Sequence, residues 1–309
     1  MTHFNARTRA VSRTPLRIAT CIPRRRPQSA VGVARGGRGS DAEAERVPVA
    51  PRIAETVGVG HAMRKRVSYR RRLAHMQTQI QWLGHSTFLI TSPNGKRILI
   101  DPWVQGNPAC PEDAKQLPGV DIMLITHGHA DHCADAVSIA KTYQPTVACI
   151  YEMYLYLTRH GVQKVQPMNK GGSVAIDGIT VTMVNAFHSS GLEEGGQVVY
   201  AGEPAGYVVR LENGLTLYHA GDTCVFGDMR IIGELYQPDV AMLPIGDVFT
   251  MGPREAAYAI RLLGVKRVIP MHWGTFPLLT GTPDQLREAT RDIEGLEILA
   301  LRPGESVRV

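Results

Sequence analysis

Three histidines and an aspartate crowd into seven residues, Thr126-His127-Gly128-His129-Ala130-Asp131-His132, directly after the short apolar segment Ile122 to Ile125. Imidazole and carboxylate are the donors that hold borderline divalent metals such as zinc, and an isolated structural histidine has no need of such company. His127 and His129 stand two apart, so in an extended turn leaving a strand their rings project toward one side and can take one metal as a pair. Asp131 and His132 open the next element. There Ala136, Ile139 and Ala140 fall at helical spacing, which places both donors in the first turn of a helix over 131–143.

A metal centre needs donors from more than one junction, and three candidates stand at the ends of expected strands. His188 closes the alternating run Ile179 to Phe187, Asp222 follows a strand over 215–219, and His272 follows Val268-Ile269-Pro270-Met271. Each lies where a loop leaves a strand, the place a rigid scaffold commonly presents functional groups.

In this order the seven positions resemble the metallo-β-lactamase superfamily, whose pattern is H-x-H-x-D-H followed by a His, an Asp and a His. The resemblance runs from about Met76 to Val309. Trp82-Leu83-Gly84-His85-Ser86, Ile100-Asp101-Pro102-Trp103, His219-Ala220-Gly221-Asp222-Thr223, Ile245-Gly246-Asp247 with Phe249 to Pro253, and Pro270 to Pro277 are closer still. They are similar to a group of bacterial and archaeal metal-dependent hydrolases within it, related to ascorbate-phosphate lactonases and more distantly to a phospholipase D that cleaves N-acyl phosphatidylethanolamines.

Carried over residue by residue, the resemblance implies one metal on His127, His129 and His188, a second on Asp131, His132 and His272, and Asp222 between them. Two divalent ions are implied. Zinc suits this donor mixture best, and manganese or iron is compatible with it. Two metals about 3.5–4 Å apart lower the pKa of a shared water from about 15.7 to about 7, so their hydroxide would be the nucleophile, with Asp131, His219 and His85 as candidate catalytic groups beside it. The diiron oxidoreductases of the superfamily resemble H-x-E-x-D-H instead, so His129 points to hydrolysis rather than redox chemistry.

Asp101 ends a strand and is expected to orient a ligand histidine by accepting its second ring N–H. His85 either lines the metal cleft or bonds a backbone carbonyl, and His219 is expected to support the site rather than to ligate. Gly84-His85-Ser86-Thr87-Phe88 lacks the last glycine of a nucleophile elbow, and neither a Walker A sequence nor a G-x-G-x-x-G after a strand occurs. Serine-hydrolase and nucleotide-cofactor chemistry are thereby set aside.

The elements that must position these groups follow from periodicity. Strands are expected near 78–83, 86–92, 97–101, 121–126 and 146–150, with a helix near 151–160. Two or three more strands follow across 173–187, then strands at 206–211, 215–219, 239–243, 267–271 and 297–301, with helices near 228–236, 253–263 and 283–293. Pro253 can open one helix and Gly264 close it, while Thr282-Pro283-Asp284-Gln285 reads as a capping box. This order implies two face-to-face sheets covered by helices, an α/β four-layer αββα sandwich of the metallo-β-lactamase type. The Gly- and Glu-rich stretch at 190–204 is either a lid over the metals or a long hairpin loop. Thr250 and the helix start at Gly252-Pro253 could meet an anionic group, and Val248 stands where many relatives carry a polar residue.

Charge divides the 309-residue chain. Residues 1–75 hold 17 basic against 4 acidic residues, whereas 76–309 hold 17 against 24, so the excess of basic charge belongs wholly to the first segment. That segment, with Arg24-Arg25-Arg26 and Arg70-Arg71-Arg72, is expected to be disordered. The favoured division is a basic extension over 1–75 outside the working protein and a hydrolase domain over 76–309. An organelle transit peptide and a nucleic-acid-binding tail are the other readings of the extension.

No apolar run approaches the ~18 residues of a membrane span, and five scattered cysteines without a C-x-x-C suit a reducing cytoplasm. Cys133 and Cys224, beside expected ligands, read as packing residues. The expected partner is a small-molecule substrate, with no membrane, no nucleic acid on the acidic domain, and self-association as a homo-oligomer left open. Two functions are therefore weighed: a metal-dependent hydrolase acting on an ester, lactone or phosphodiester, and a nucleic-acid-binding regulator on the same scaffold with affinity from the basic tail. The acidic balance of 76–309 favours the first.

Overall fold

Apolar alternation makes β1 (Gln79–Gly84), β2 (Thr87–Thr91) and β3 (Arg97–Ile100) an antiparallel meander in the computed structural model, which describes residues 77–309. The readings of residues 1–75 lie outside the described residues. From β3 the chain changes to crossovers: β4 (Ile122–Leu124), α1 (Ala130–Cys133), α2 (Ala136–Tyr143), β5 (Thr146–Ile150), α3 (Tyr151–Arg159) and β6 (Val165–Met168). β3 to β6 run parallel, and parallel neighbours need such long connections.

The second half repeats this plan. β7 (Ser173–Ile176) and β8 (Ile179–Asn185) are antiparallel; β9 (Gly191–Glu194) and β10 (Gln197–Tyr200) form a separate hairpin; β11 (Ala205–Arg210) and β12 (Thr216–His219) follow. Then α4 (Met229–Tyr236), β13 (Val240–Pro244), α5 (Pro253–Leu263), β14 (Arg267–Met271), α6 (Pro283–Ala289) and β15 (Glu297–Ile298) alternate, with β12 to β15 parallel. β16 (Ser306–Arg308) returns to pair β1, Gln79 opposite Arg308. The sheet orders are β16-β1-β2-β3-β4-β5-β6 and β15-β14-β13-β12-β11-β8-β7.

The inner strand β13 of the second sheet is buried on both faces. Val240 and Met242 of β13 join an apolar cluster with Ile80, Phe88 and Leu99 of the first sheet, while Ala241 and Leu243 join a second one with Met229, Ala256 and Leu286 of the covering helices. Period-two side chains thus fill two layers at once, which is why β13 reads as a continuous apolar run. Ala136, Ile139, Met153 and Leu157 of α2 and α3 pack with the first sheet, and the architecture is the expected αββα sandwich.

The helix ends follow local chemistry. Gly264 closes α5 at φ +66 with its amide on Ile260, and Thr282 and Gln285 form the expected capping box of α6.

Several boundaries differ from expectation. The helix over 131–143 is two helices, because the Asp135 carboxylate accepts the amides of Val104 and Gln105 at 2.6 and 2.8 Å and draws the chain out of register. The helix expected to reach 293 stops at Ala289, where the Thr290 hydroxyl donates back to the Leu286 carbonyl at 2.8 Å. β6 was not expected; its Pro167, unfavourable inside a sheet, is tolerated because β6 is an edge. β16, only three residues long, was also not expected, and the strand over 297–301 shrinks to β15. The 190–204 stretch contains the β9–β10 hairpin, tied to α3 by Glu194 against His160 at 3.4 Å and Arg159 at 3.8 Å.

Candidate metal centre

The parallel strands of both sheets end at one edge, and the loops leaving them carry the polar cluster. β4 delivers Thr126 and His127, and His129 sits at the N-terminal boundary of α1 with Asp131 in its first turn and His132 just after. Gly128 between the histidines is required by space: a β-carbon there would lie 2.4 Å from that of Ala201. From the second sheet, β8 leads to His188, β12 to Asp222 and β14 to His272.

The structure brings all seven positions together. His127 Nε2 and His129 Nδ1 lie 3.0 Å apart, and with His188 they form a set whose donor atoms all fall within 4.8 Å of one another. Asp131, His132 and His272 form a second such set, which His85 joins; His127, His132 and Asp222 form a third that joins the two. Asp222 Oδ2 is the point of convergence, 3.0 Å from His272 Nε2, 3.2 Å from His132 Nε2 and 3.7 Å from His188 Nε2.

A single buried carboxylate prepares two of these rings. Asp101 Oδ2 accepts His132 Nδ1–H at 2.8 Å and the Thr126 hydroxyl at 2.8 Å, while Oδ1 accepts the Thr126 amide. With its proton committed to Asp101, the Thr126 oxygen can only accept from His127 Nδ1, 2.9 Å away. Both histidines therefore turn Nε2 toward the cluster. Asp101 thus has the orienting position expected of it, whereas Thr126, the connecting hydroxyl, was missed; its place directly before His127 was the available signal.

The supporting histidines divide their work. His219 is buried, its Nε2–H donating to Ser86 O at 3.0 Å and its Nδ1 accepting the Gly221 amide at 3.1 Å. Both ring nitrogens are committed to backbone, so His219 fixes the turn before Asp222 and has no free nitrogen with which to ligate or to move a proton. His85 lines the cleft: Nε2 faces Asp131 Oδ2 at 3.1 Å and Nδ1 faces the Thr275 hydroxyl at 3.0 Å. Its own carbonyl accepts the His272 amide at 2.9 Å and the Trp82 indole N–H at 2.8 Å. Thr275 and Ser189, whose hydroxyl lies 3.3 Å from His129 Nε2, are further contacts that sequence reasoning missed.

The donor set fits a metal on the structure's own terms. His132 Nε2 is fully buried and lies 3.2 Å from Asp222 Oδ2 without the alignment of a hydrogen bond; buried polar atoms left so poorly paired cost free energy unless a ligand satisfies them. Burial opposes a proton on His132, yet the carboxylates of Asp222 and Asp101 outweigh it and hold its pKa well above the ordinary value. Burial and the neighbouring His132 push His127 well down, so it is a neutral donor. Against the opposing effect of burial, His132 and His272 hold Asp222 well below the carboxylate range. The pocket therefore demands positive charge between Asp101 and Asp222, a demand that a divalent cation also meets. Burial brings His85 down to about 4, and, against burial, the His85 hydrogen bond keeps Asp131 ionised.

Cys133, 7 % exposed behind this cluster, has its thiol pushed up to about 12 by burial and by Asp101 and Asp131, which suits packing and not ligation. Cys224 is exposed. Among the described residues no helix is long and apolar enough to cross a membrane.

Comparison with known proteins accords with this geometry. The family described as Beta-lactamase superfamily domain matches residues 96–273. The chain is 56% identical over 228 residues to a UPF0173 metal-dependent hydrolase of Koribacter versatilis, covering 74% of this chain and 97% of that one. It is 50% identical over 232 residues to another from Rubrobacter xylanophilus, with 74% and 96% covered. Among solved structures, Igni18, a metallo hydrolase of the archaeon Ignicoccus hospitalis, aligns with a TM-score of 0.68 at 33% identity, over 75% of this chain and 98% of that one.

Proposed function

The chain belongs to the metallo-β-lactamase superfamily, among its metal-dependent hydrolases, and we propose that it hydrolyses an ester, lactone or phosphodiester with two divalent ions, zinc foremost and manganese or iron compatible. The observation that carries this reading is the convergence of three imidazole nitrogens on Asp222 Oδ2, with separate three-donor sets on either side.

His127, His129 and His188 would hold one ion, Asp131, His132 and His272 the other, and Asp222 would lie between them. Ions bound there would supply a nucleophilic hydroxide at neutral pH and a field for charge developing on the substrate oxygen. The protein's own part is orientation and proton placement. Asp101 fixes His132 directly and His127 through Thr126. Of Asp101, Asp131 and Asp222, Asp131 is the one that opens to the cleft, at 32% exposure against 0% for Asp101 and 2% for Asp222. It is the group placed to hold and pass on a proton from the attacking water, with His85 Nε2–H on its Oδ2 keeping it ready. The buried apolar wall beneath the cluster excludes bulk water from the ligand rings.

A reducing cytoplasm remains the proposed location, in keeping with three buried free thiols, Cys110, Cys133 and Cys149. The experiment is a metal-loaded screen of esters, lactones and phosphodiesters with and without chelator. Turnover that chelation abolishes and added zinc restores is expected. Inert protein with two ions bound, or turnover indifferent to chelation, refutes the reading.

A further inference from the structure

The loop after β13 carries two consecutive non-glycine residues in the left-handed region, Asp247 at φ 68 and Val248 at φ 58. A β-branched residue there is a genuine outlier, and such strain persists where the surrounding structure enforces it, often at ligand clamps. Here the enforcement is visible. The Met251 amide donates to Thr223 O beside Asp222, the Asp247 amide donates to Met251 O, and the Gly281 amide donates to Gly246 O. A β-carbon on Gly246 would lie 2.0 Å from the His272 carbonyl. The loop is thus pinned between two of the proposed ligands, and it holds Val248 and Phe249 in the open at 59% and 52% exposure.

Other large apolar side chains are exposed along the same edge. Phe187 precedes His188, Leu278 lies in the loop after His272, and Val198 lines an open cleft of about 470 Å³ beside His129 and Asp131. Apolar groups gathered around a polar centre form a surface for an apolar part of a ligand.

The charge at this edge selects further. The loops over 101–107, 126–132, 187–200, 221–229, 246–252 and 272–282 contain no Lys or Arg, the side chains that ordinarily grip phosphate oxygens. The start of α5, a candidate anion site from sequence, has carboxylates beside it that would repel an anion: a β-carbon on Gly252 would lie 3.2 Å from Glu255 Oε2 and 3.4 Å from Asp247 Cγ. Pro253 at the first helical position also lacks an N–H to offer.

Resting on the hydrolase reading above, we propose that the substrate is an uncharged carboxylic ester, thioester or lactone whose alkyl or acyl tail lies on the lip formed by Val248 and Phe249, and not an anionic phosphodiester. Water adds to the acyl carbon, the bond from that carbon to oxygen or sulfur breaks, and the leaving group departs with the proton, giving an acid and an alcohol or thiol.

Two readouts test this. In the zinc-loaded protein, p-nitrophenyl esters from acetyl to octanoyl are compared with bis(p-nitrophenyl) phosphate. kcat/KM is expected to rise at least tenfold from acetyl to octanoyl and to exceed that of the phosphodiester at least tenfold. The variant V248S/F249S should reduce the octanoyl-to-acetyl ratio to below threefold. In the metal-free protein, titration with methyl ketones from butanone to decanone should show Kd falling with chain length in the native chain and at least fivefold less in the variant, with unchanged circular dichroism. Flat chain-length dependence, preference for the phosphodiester, or ketone binding indifferent to the substitutions overturns the proposal. If no compound of either class were hydrolysed, the hydrolase reading itself would fail, and the ketone titration would decide the apolar lip alone.

Discussion

Asp101 and His132, both fully buried, are joined by a 2.8 Å hydrogen bond from ring Nδ1 to carboxylate Oδ2. The same carboxylate holds the Thr126 amide and hydroxyl. Asp101→Ala removes all three hydrogen bonds at once. Metal affinity should fall about 10- to 100-fold, as for other orienting partners of metal-bound histidines. Competition titration against a chelator measures this, and an affinity within twofold of the native value would show that Asp101 does not orient the ring.

Metal removal should weaken the fold, because binding only to the native state adds stability by mass action, about 4 kcal/mol when free metal exceeds Kd a thousandfold. Two ions per chain are expected by elemental analysis, one in His188→Ala and neither tightly held in Asp222→Ala. A native stoichiometry of one would refute the dinuclear arrangement, and a melting temperature unchanged by chelation would refute the coupling.

Gly246→Ala tests the close approach to His272. The added methyl has nowhere to go but into a carbonyl 2.0 Å away, so the loop must move. Overpacking of this kind costs roughly 1–3 kcal/mol, and His272 should shift with it. Urea denaturation should show the loss together with weaker metal retention; an undiminished midpoint would mean the backbone has slack there.

Thiol reactivity follows burial. The thiolate is the reactive form. Burial holds Cys110 up to about 11 and Cys133 up to about 12, and it raises Cys149 as well. At pH 8 iodoacetamide should modify exposed Cys224 in the native protein and spare Cys110, Cys133 and Cys149, and at pH 10 Cys133 and Cys149 should still be spared. Peptide mapping by mass spectrometry reads this out, and labelling of Cys133 as fast as Cys224 would contradict the packing described.

The candidate site was more legible in the sequence than its surroundings. Metal-binding donors must be particular residue types at loop starts, so His127 to His132, His188, Asp222 and His272 could be picked out one by one, and the structure gathers them. Asp101 was legible as a strand-terminal acid. Thr126 and Thr275 were not, because a hydroxyl acquires its role from a partner distant in sequence and has many ordinary uses.

The fold was legible where apolar periodicity ran long, as in α5 and β8. It was obscure where position in the sheet overrode local preference: Pro167 argues against a strand that exists because it lies at an edge. Asp135 looked like one more helical residue until its carboxylate was seen to hold the loop before it. His219, counted among the catalytic candidates, turned out to spend both nitrogens on backbone.

The antiparallel pairing of β1 with β16 sets Gln79 against Arg308, and β1 leads directly to His85, whose carbonyl anchors the His272 amide. During synthesis the earliest strand of this domain must therefore wait for residues past 305 before its edge is covered. A nascent chain would display the H-x-H-x-D-H imidazoles long before their counterparts from the second sheet arrive, so the proposed centre can assemble only after His272 has been added, late in synthesis.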